Sequence, residues 1–491
     1  MTEKVQTISK RSWKVKVLFS FACLITVIAL IYAVEDWRGK SEWEDFKRQW
    51  EAKGENFSWQ AYAQPSVPAD QNFFSAPIFT NIVNGQIEPS IYRDDGSSPK
   101  SSAYWAEGTV TDLRAWQAYY RAQDNQNSTN EFPVASQPQA PAADVLLALS
   151  KYDSDVEELR QASERPDANI PLNYEDGFGA VSTLLPYLSA LKRCCSLLEL
   201  RAVAELADGR NAEAYDDVKL LCRLNDTIRT QPFLISHLVR MAVLQITLQP
   251  IWEGWTEHRW TDEQLAGISA ELAKLDFLAD YQFAMRGERA FALQSFENRR
   301  ITRMFRVIDD TGRTNTIHYY FMPEGFFYQN ELAWAQMVQQ RLLPLVDIND
   351  RIVSPGVYRD ANDAVLRQLK HYSSTRVEAS MTFQPEAGTV KRFAFAQSSV
   401  DLARVACALE RYRLAHGGYP ESLEALAPQF IQAIPHDIID GKPLHYRRTD
   451  DGKCMLYSVG WNETDDGGLV PSTNNGGTIG KCDWVWRYPI R

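Results

Sequence analysis

Val390–His416, VKRFAFAQSSVDLARVACALERYRLAH, is the stretch on which the reading of this chain turns. Leu402, Val405, Leu409 and Tyr412 recur at three and four residues, the spacing that lines them up on one helical stripe. Gly417-Gly418 ends the helix, because glycine takes up the left-handed conformation needed just past a last turn without a Cβ clash. Next come Tyr419-Pro420, a short helical piece from Glu421 to Leu426, and IPHDIIDGKPLHYRR, in which Asp440-Gly441 is a tight-turn dipeptide. A hairpin is predicted after that: Pro443 to Arg448, a turn at Asp450-Asp451-Gly452, then Cys454 to Gly460 with Met455, Tyr457 and Val459 on one face. The chain closes on a last strand, Trp484 to Tyr488. A long helix followed by antiparallel strands makes residues 388–491 a small α+β domain.

Four pieces of this stretch carry a resemblance: ALERYRLAHGGYPESLEAL, Pro435-His436-Asp437 with Gly441-Lys442-Pro443, Tyr457-Ser458-Val459-Gly460, and Asp465-Asp466-Gly467-Gly468. In that order they resemble the globular head of the type II secretion major pseudopilins. The resemblance implies a head outside the cytoplasm, beside envelope or secretion proteins. It also implies calcium in the loop between the final strands, WNETDDGGLVPSTNNGGTIGKCDW, where Asp465 and Asp466 match the acidic part of the family's motif. Asp483 stands just before the last strand and closes such a site from the other side. Carboxylate and carbonyl oxygens on a glycine-rich backbone are the ligands calcium takes, although no EF-hand pattern is present. The alternative is an ordinary polar loop in which Asp-Asp-Gly-Gly makes a turn. In the family the head follows its N-terminal helix directly, whereas here a long body intervenes. The whole chain is similar to uncharacterised membrane-anchored proteins of planctomycete-like and verrucomicrobial-like bacteria.

At the other end, Val17 to Val34 (VLFSFACLITVIALIYAV) contains no charged residue and is about long enough to cross a hydrocarbon core. Lys4, Lys10, Arg11, Lys14 and Lys16 precede it and Glu35-Asp36 follow, so the positive-inside rule keeps residues 1–16 in the cytoplasm. Everything after Glu35 is then expected outside, in the periplasm or its equivalent, on a single-pass anchor in the inner membrane. A cleaved signal peptide usually has a shorter apolar region, and Ile31 and Ala33 make a poor cleavage site. Residues 35–143 begin with an amphipathic stalk, in which Trp43, Phe46 and Trp50 fall at helical spacing. They continue as a Pro-, Ser-, Asn- and Gln-rich linker. Its aromatics Phe73, Phe74, Phe79, Tyr92 and Trp105 argue that it packs on something rather than floats. A short helix is expected around Leu113 to Tyr120. Gly39-Lys40-Ser41 lacks the earlier glycine of a phosphate-binding loop.

Residues 144–387 carry helical periodicity, so the whole chain reads as mainly α. LLELRAVAELADGRNAEAYDDVKLLCRLNDTI makes two amphipathic helices about Asp208-Gly209, similar to a single tetratricopeptide-like hairpin. FLISHLVRMAVLQITLQ is interrupted by His237 and Arg240 and reads as a core helix, not a second span. Thr261-Asp262-Glu263 opens another helix.

The net charge is −11, with +4 in residues 1–34 and 0 in residues 388–491, so the middle of the chain carries −15, which argues against a nucleic-acid partner. The seven cysteines show no CxxC or Cys/His metal spacing. If the last two strands are antiparallel neighbours, Cys454 and Cys482 stand about six residues apart at ~3.3 Å each, beyond disulfide reach. The sequence contains no HExxH and no GxSxG. Arg286, Glu288, Arg289, Glu297, Arg299, Arg300, Arg303 and Arg306 read as solvated salt-bridge faces. The acidic pairs Glu157-Glu158, Asp216-Asp217 and Asp309-Asp310 read likewise as surface.

Two functions remain. One is a noncatalytic, membrane-anchored scaffold or interaction protein with a pseudopilin-like head. The other is an extracytoplasmic enzyme, acting on carbohydrate, for which two carboxylates would face each other in a cleft walled by Trp and Tyr.

Overall fold

The computed structural model describes residues 3–83, 99, 104–123, 132–174, 178–308, 314–360, 388–469 and 478–489. Tyr92, Asp309-Asp310, residues 361–387 and the 470–477 part of the last loop lie outside these. The helices in chain order are α1 (Glu3–Glu51), α2 (Pro77–Val83), α3 (Leu113–Gln123), α4 (Pro141–Leu149), α5 (Asp153–Ser163), α6 (Phe178–Ala207), α7 (Asn211–Asp226), α8 (Leu234–Thr256), α9 (Asp262–Leu272), α10 (Phe277–Thr302), α11 (Glu324–Met337) and α12 (Thr389–His416). Among the described residues three small antiparallel sheets accompany them: β1 (Met304–Ile308) with β2 (Thr314–His318), β3 (Val346–Asp347) with β4 (Ile352–Val353), and β5 (His445–Arg448), β6 (Cys454–Ser458) and β7 (Trp484–Trp486) in that order. The protein is therefore mainly helical. Its described residues divide into two compact units, those of 1–61 and 289–342 in the first, and those of 62–288, 343–361 and 386–491 in the second.

In the first unit α1 is one continuous helix of 49 residues. An 18-residue window within it has a mean hydropathy of 2.7 and none of it is buried, so the helix is long and apolar enough to cross a membrane. Its polar continuation packs against α11. A Cβ on Gly39 would stand 2.9 Å from the carbonyl oxygen of Gly325, and one on Gly325 would overlap the carbonyl oxygen of Glu35. The two backbones touch here because neither residue carries a side chain. Asp36 Oδ1 accepts from Gly325 N at 2.6 Å and Gln329 Nε2 donates to Glu35 Oε2 at 2.8 Å. The carboxylate thus sits where the exposed N–H groups of α11 favour negative charge. Further along α1, Trp43 and Phe46 are buried and meet the ring of Phe57 at 5.9 and 6.0 Å. The expected stalk continues α1, but its aromatic face is covered rather than solvated.

The second unit is built on α6 and α7. Gly209, at φ +82°, makes the expected turn between them, and Leu197, Leu200, Leu220 and Leu224 are all buried. Helix α8 also passes the length and hydropathy test for a span, but two-thirds of that window is buried, 67%. Its His237 and Arg240 are buried too, with Arg240 held by Asp280 and by the carbonyl of Asn225 at 3.1 Å. Helix α9 starts on a capping box, Thr261 with Gln264.

Helix α12 differs from the single stripe read in its sequence. From Thr389 to Glu410 almost every residue is buried, polar Gln397, Ser398, Ser399 and Asp401 included. The reason is its position, in contact with α8, α9, β6 and β7. Trp255 Nε1 donates to Ala406 O at 3.1 Å, and Trp105 stacks on Phe395 at 6.3 Å and meets Trp486 at 5.0 Å. The linker aromatics Phe73, Phe74, Phe79 and Trp105 are fully buried, as expected of a segment that packs. Strand β6 pairs with β7 as Ser458↔Trp484, which leaves Cys454 and Cys482 apart.

The glycine contact in the first unit gives a direct test. Gly325→Ala places a methyl group against backbone that has no rotamer to yield, at a cost of about 1–3 kcal/mol. The expected outcome is faster amide exchange through 324–337, with exchange in α7 unchanged.

Candidate functional site

Asp437 holds the C-terminal sheet to the turn before it. Its buried carboxylate accepts from Ile439 N at 3.0 Å, Ser458 Oγ at 2.9 Å and Val459 N at 2.9 Å. The turn closes on itself, with Asp437 N donating to Lys442 O at 2.7 Å and Gly441 N to Asp437 O at 2.8 Å. Gly441 supplies the φ of +72° this geometry requires. Burial pushes the Asp437 carboxyl up, against the N–H groups that favour its charge.

The final loop brings Asp465, Asp466 and Asp483 together. Asp483 accepts from Asp466 N at 3.1 Å and Gly468 N at 2.7 Å. Asp465 Oδ1 accepts from Gly467 N at 2.9 Å and Tyr457 OH at 3.0 Å, and Asp466 Oδ2 accepts from Asn462 Nδ2 at 2.9 Å. Gly467 and Gly468 sit at φ +73° and +75°, and a Cβ on Gly468 would collide with the Met455 sulfur. Each carboxylate therefore already supports the loop. Among the described residues no group of three or more His, Cys, Asp or Glu side chains is arranged to hold a metal ion.

Sequence reasoning missed a second carboxylate on α12. Glu410 is fully buried and accepts from Arg413 Nη2 at 2.6 Å, Arg413 Nε at 2.8 Å and Tyr419 OH at 2.8 Å. His258 Nδ1 lies 2.9 Å from its other side, and the Tyr419 and Tyr488 hydroxyls meet at 2.7 Å. Burial pushes the Glu410 carboxyl up, but the bonds from Arg413, His258 and Tyr419 outweigh it and hold the group below its ordinary value. The network closes the end of α12 onto the α8–α9 connection. The signal was present in ACALERY, a charge interrupting an apolar helix.

Two of the cavities that open in the second unit bear on function. One, of about 630 Å³, is lined by paired charges: Arg223 with Glu164, Arg229 with Asp226 at 2.9 Å and Lys274 with Glu271 at 2.7 Å. Its one lining ring is Phe73, so it has no Trp or Tyr wall for a sugar. The other, of about 590 Å³, lies at the start of α12. Leu238, Met241 and Phe395 contribute apolar surface, and Lys391, Arg392 and Lys481 contribute positive charge, with no carboxylate among the described lining residues. Such a surface suits an anionic partner.

The charges expected at the surface are partly buried. Arg289 is wholly buried, donating to Glu55 Oε2 at 2.9 Å and to Asn56 O at 2.8 Å, with its guanidinium 4.2 Å from the Phe57 ring centre. Asp217 is likewise buried, between Arg160 and Arg201, and beside it lies buried Glu205. Neither Glu205 oxygen has a hydrogen-bond partner among the described residues. These groups are inside because distant parts of the chain cover them, a loop over Arg289 and neighbouring helices over Asp217 and Glu205, which periodicity does not reveal. Comparison of the chain with family models, with curated proteins and with solved structures finds no match.

Burial pushes the Glu205 carboxyl up to about 8, with Asp217 adding to the effect and Arg201 opposing it. The folded chain then keeps a proton that the unfolded chain loses from about pH 4.5 upward. Stability from this group is present below that value and is lost as pH rises to about 8. Glu205→Gln is expected to match the parent's melting temperature at pH 5 and exceed it at pH 8.5. Equal temperatures at both pH values would contradict the assignment.

Proposed function

We propose that this protein is a membrane-anchored, noncatalytic scaffold whose part after Glu35 lies outside the cytoplasm and carries a pseudopilin-like head. The observation that supports this most is α1. Its apolar run is exposed along its whole length, with Leu18 at 74% and Phe19 at 71%, yet the same helix continues into packed structure at Glu35. Water would not tolerate such a surface, whereas a bilayer matches it. The cluster of Lys and Arg before the run and the Glu35-Asp36 pair after it support an N-terminus in the cytoplasm.

The pseudopilin-like reading of 388–491 is supported by α12, the Asp437 turn, the order β5-β6-β7 and the acidic loop, all in the sequence order that suggested it. Partners among envelope or secretion proteins follow from that reading, and the cationic cleft at the start of α12 is where an acidic partner would dock. Protease added to spheroplasts is expected to remove the part after Glu35, and full protection would contradict the topology.

Calcium belongs to the same proposal. A carboxylate offers about four lone-pair positions, so accepting from the loop's N–H groups leaves Asp465, Asp466 and Asp483 with positions open to an ion once the loop draws them together. Calcium bound only by the folded chain raises its melting temperature with concentration. The expected outcome is a rise in millimolar calcium over EDTA for the full chain that Asp465→Ala removes. An identical melting temperature in the two buffers would withdraw calcium and leave the three carboxylates as loop supports.

A further inference from the structure

The loop that leads into α11 turns its apolar side chains outward. Phe321 is 88% exposed, Tyr320 62% and Met322 44%. Three consecutive large apolar groups in that position are not an accident of loose chain. Tyr319 N donates to Arg303 O at 2.9 Å, Met322 N to Tyr319 O at 3.0 Å, and Arg303 Nη1 to Met322 O at 2.7 Å. The Tyr320 ring also stacks on His318 at 5.0 Å. The backbone is held so that the side chains point away from the protein.

Two contacts fix where this tip lies along α1. Tyr32 OH donates to Phe321 O at 2.5 Å, and four residues further on in each segment Gly325 N donates to Asp36 Oδ1 at 2.6 Å. Tyr32 lies within the last turn of the apolar run that ends at Val34. If that run crosses a bilayer, the tip is level with the boundary between hydrocarbon and headgroups. This is where aromatic side chains with one polar end are enriched.

We propose that Tyr320-Phe321-Met322 is a membrane-interface wedge, inserted in the lipid leaflet through which α1 emerges. The bilayer is its partner. Burial of Phe321 and Met322 among acyl chains removes their apolar surface from water, while the Tyr320 hydroxyl and the Arg303 guanidinium behind the tip remain among headgroups. With α1 the wedge gives a second point of attachment, which fixes the rotation of α1 about its own axis. The inference rests on the anchor reading above.

The test uses the full chain in phosphatidylcholine vesicles, with the photoreactive residue p-benzoylphenylalanine replacing Phe321, Leu24 or Glu51 in separate variants. Leu24 lies in the apolar run, and Glu51 ends α1 about 22 Å beyond Asp36. After irradiation, lipid adducts detected by mass are expected at 24 and at 321, with at least tenfold less at 51. Adducts at 24 but not at 321 would overturn the wedge and leave the anchor intact. Absence at both would overturn both readings, and an adduct from 321 to a second copy of the chain in place of lipid would also overturn the wedge.

Discussion

Gly39 and Gly325 bring two helix backbones into contact at the point where an apolar helix becomes part of a folded unit. A side chain on either would push the helices apart, and the Asp36 carboxylate could then no longer reach the N–H of Gly325. Everything that ties α1 to the first unit follows from that approach. Glu35 reaches Gln329, Tyr32 reaches the carbonyl of Phe321, and Trp43 and Phe46 close over Phe57. The acidic pair that ends the apolar run thus serves twice, as the polar boundary of the run and as the cap of a neighbouring helix.

The sequence revealed the helices and turns far better than it revealed what they touch. The apolar run, the Asp208-Gly209 hairpin, the helix start at Thr261 and the antiparallel end of the chain were legible because each depends on local spacing or on a residue with special backbone freedom. The surroundings of α12 were not, since a helix covered on all sides and a helix covered on one differ only in what long-range packing brings to it. Gly39 read as part of a chance GKS, yet it is the small residue that permits the α1–α11 contact. Arg289 and Asp217 were read as solvated for the same reason: a charge on a helix face carries no mark of whether other parts of the chain will cover it.

Buried charge is the recurrent device of both units. Arg289 is satisfied by Glu55, Gln339 and a backbone carbonyl, and Glu410 by Arg413, His258 and Tyr419, so each removes a charge from water without leaving it unpaired. Glu205 differs, because its oxygens have no hydrogen-bond partner among the described residues and neighbouring Asp217 shares its Arg201. The candidate calcium loop was legible as an acidic, glycine-rich segment. Its hydrogen bonds were not, and they show Asp483 supporting the backbone of the loop that Asp465 and Asp466 decorate.

If α1 and the rest of the first unit form one rigid piece, a membrane that holds one holds the other. Spin labels at Leu18 and Glu324, in the full chain with Cys23 replaced by serine and reconstituted in lipid nanodiscs, report this directly. The rise of the helix between residues 18 and 35 places the labels about 25 Å apart. A single narrow distance distribution near that value is the predicted result. A broad distribution, with the apolar segment sampling many directions relative to α11, would contradict it.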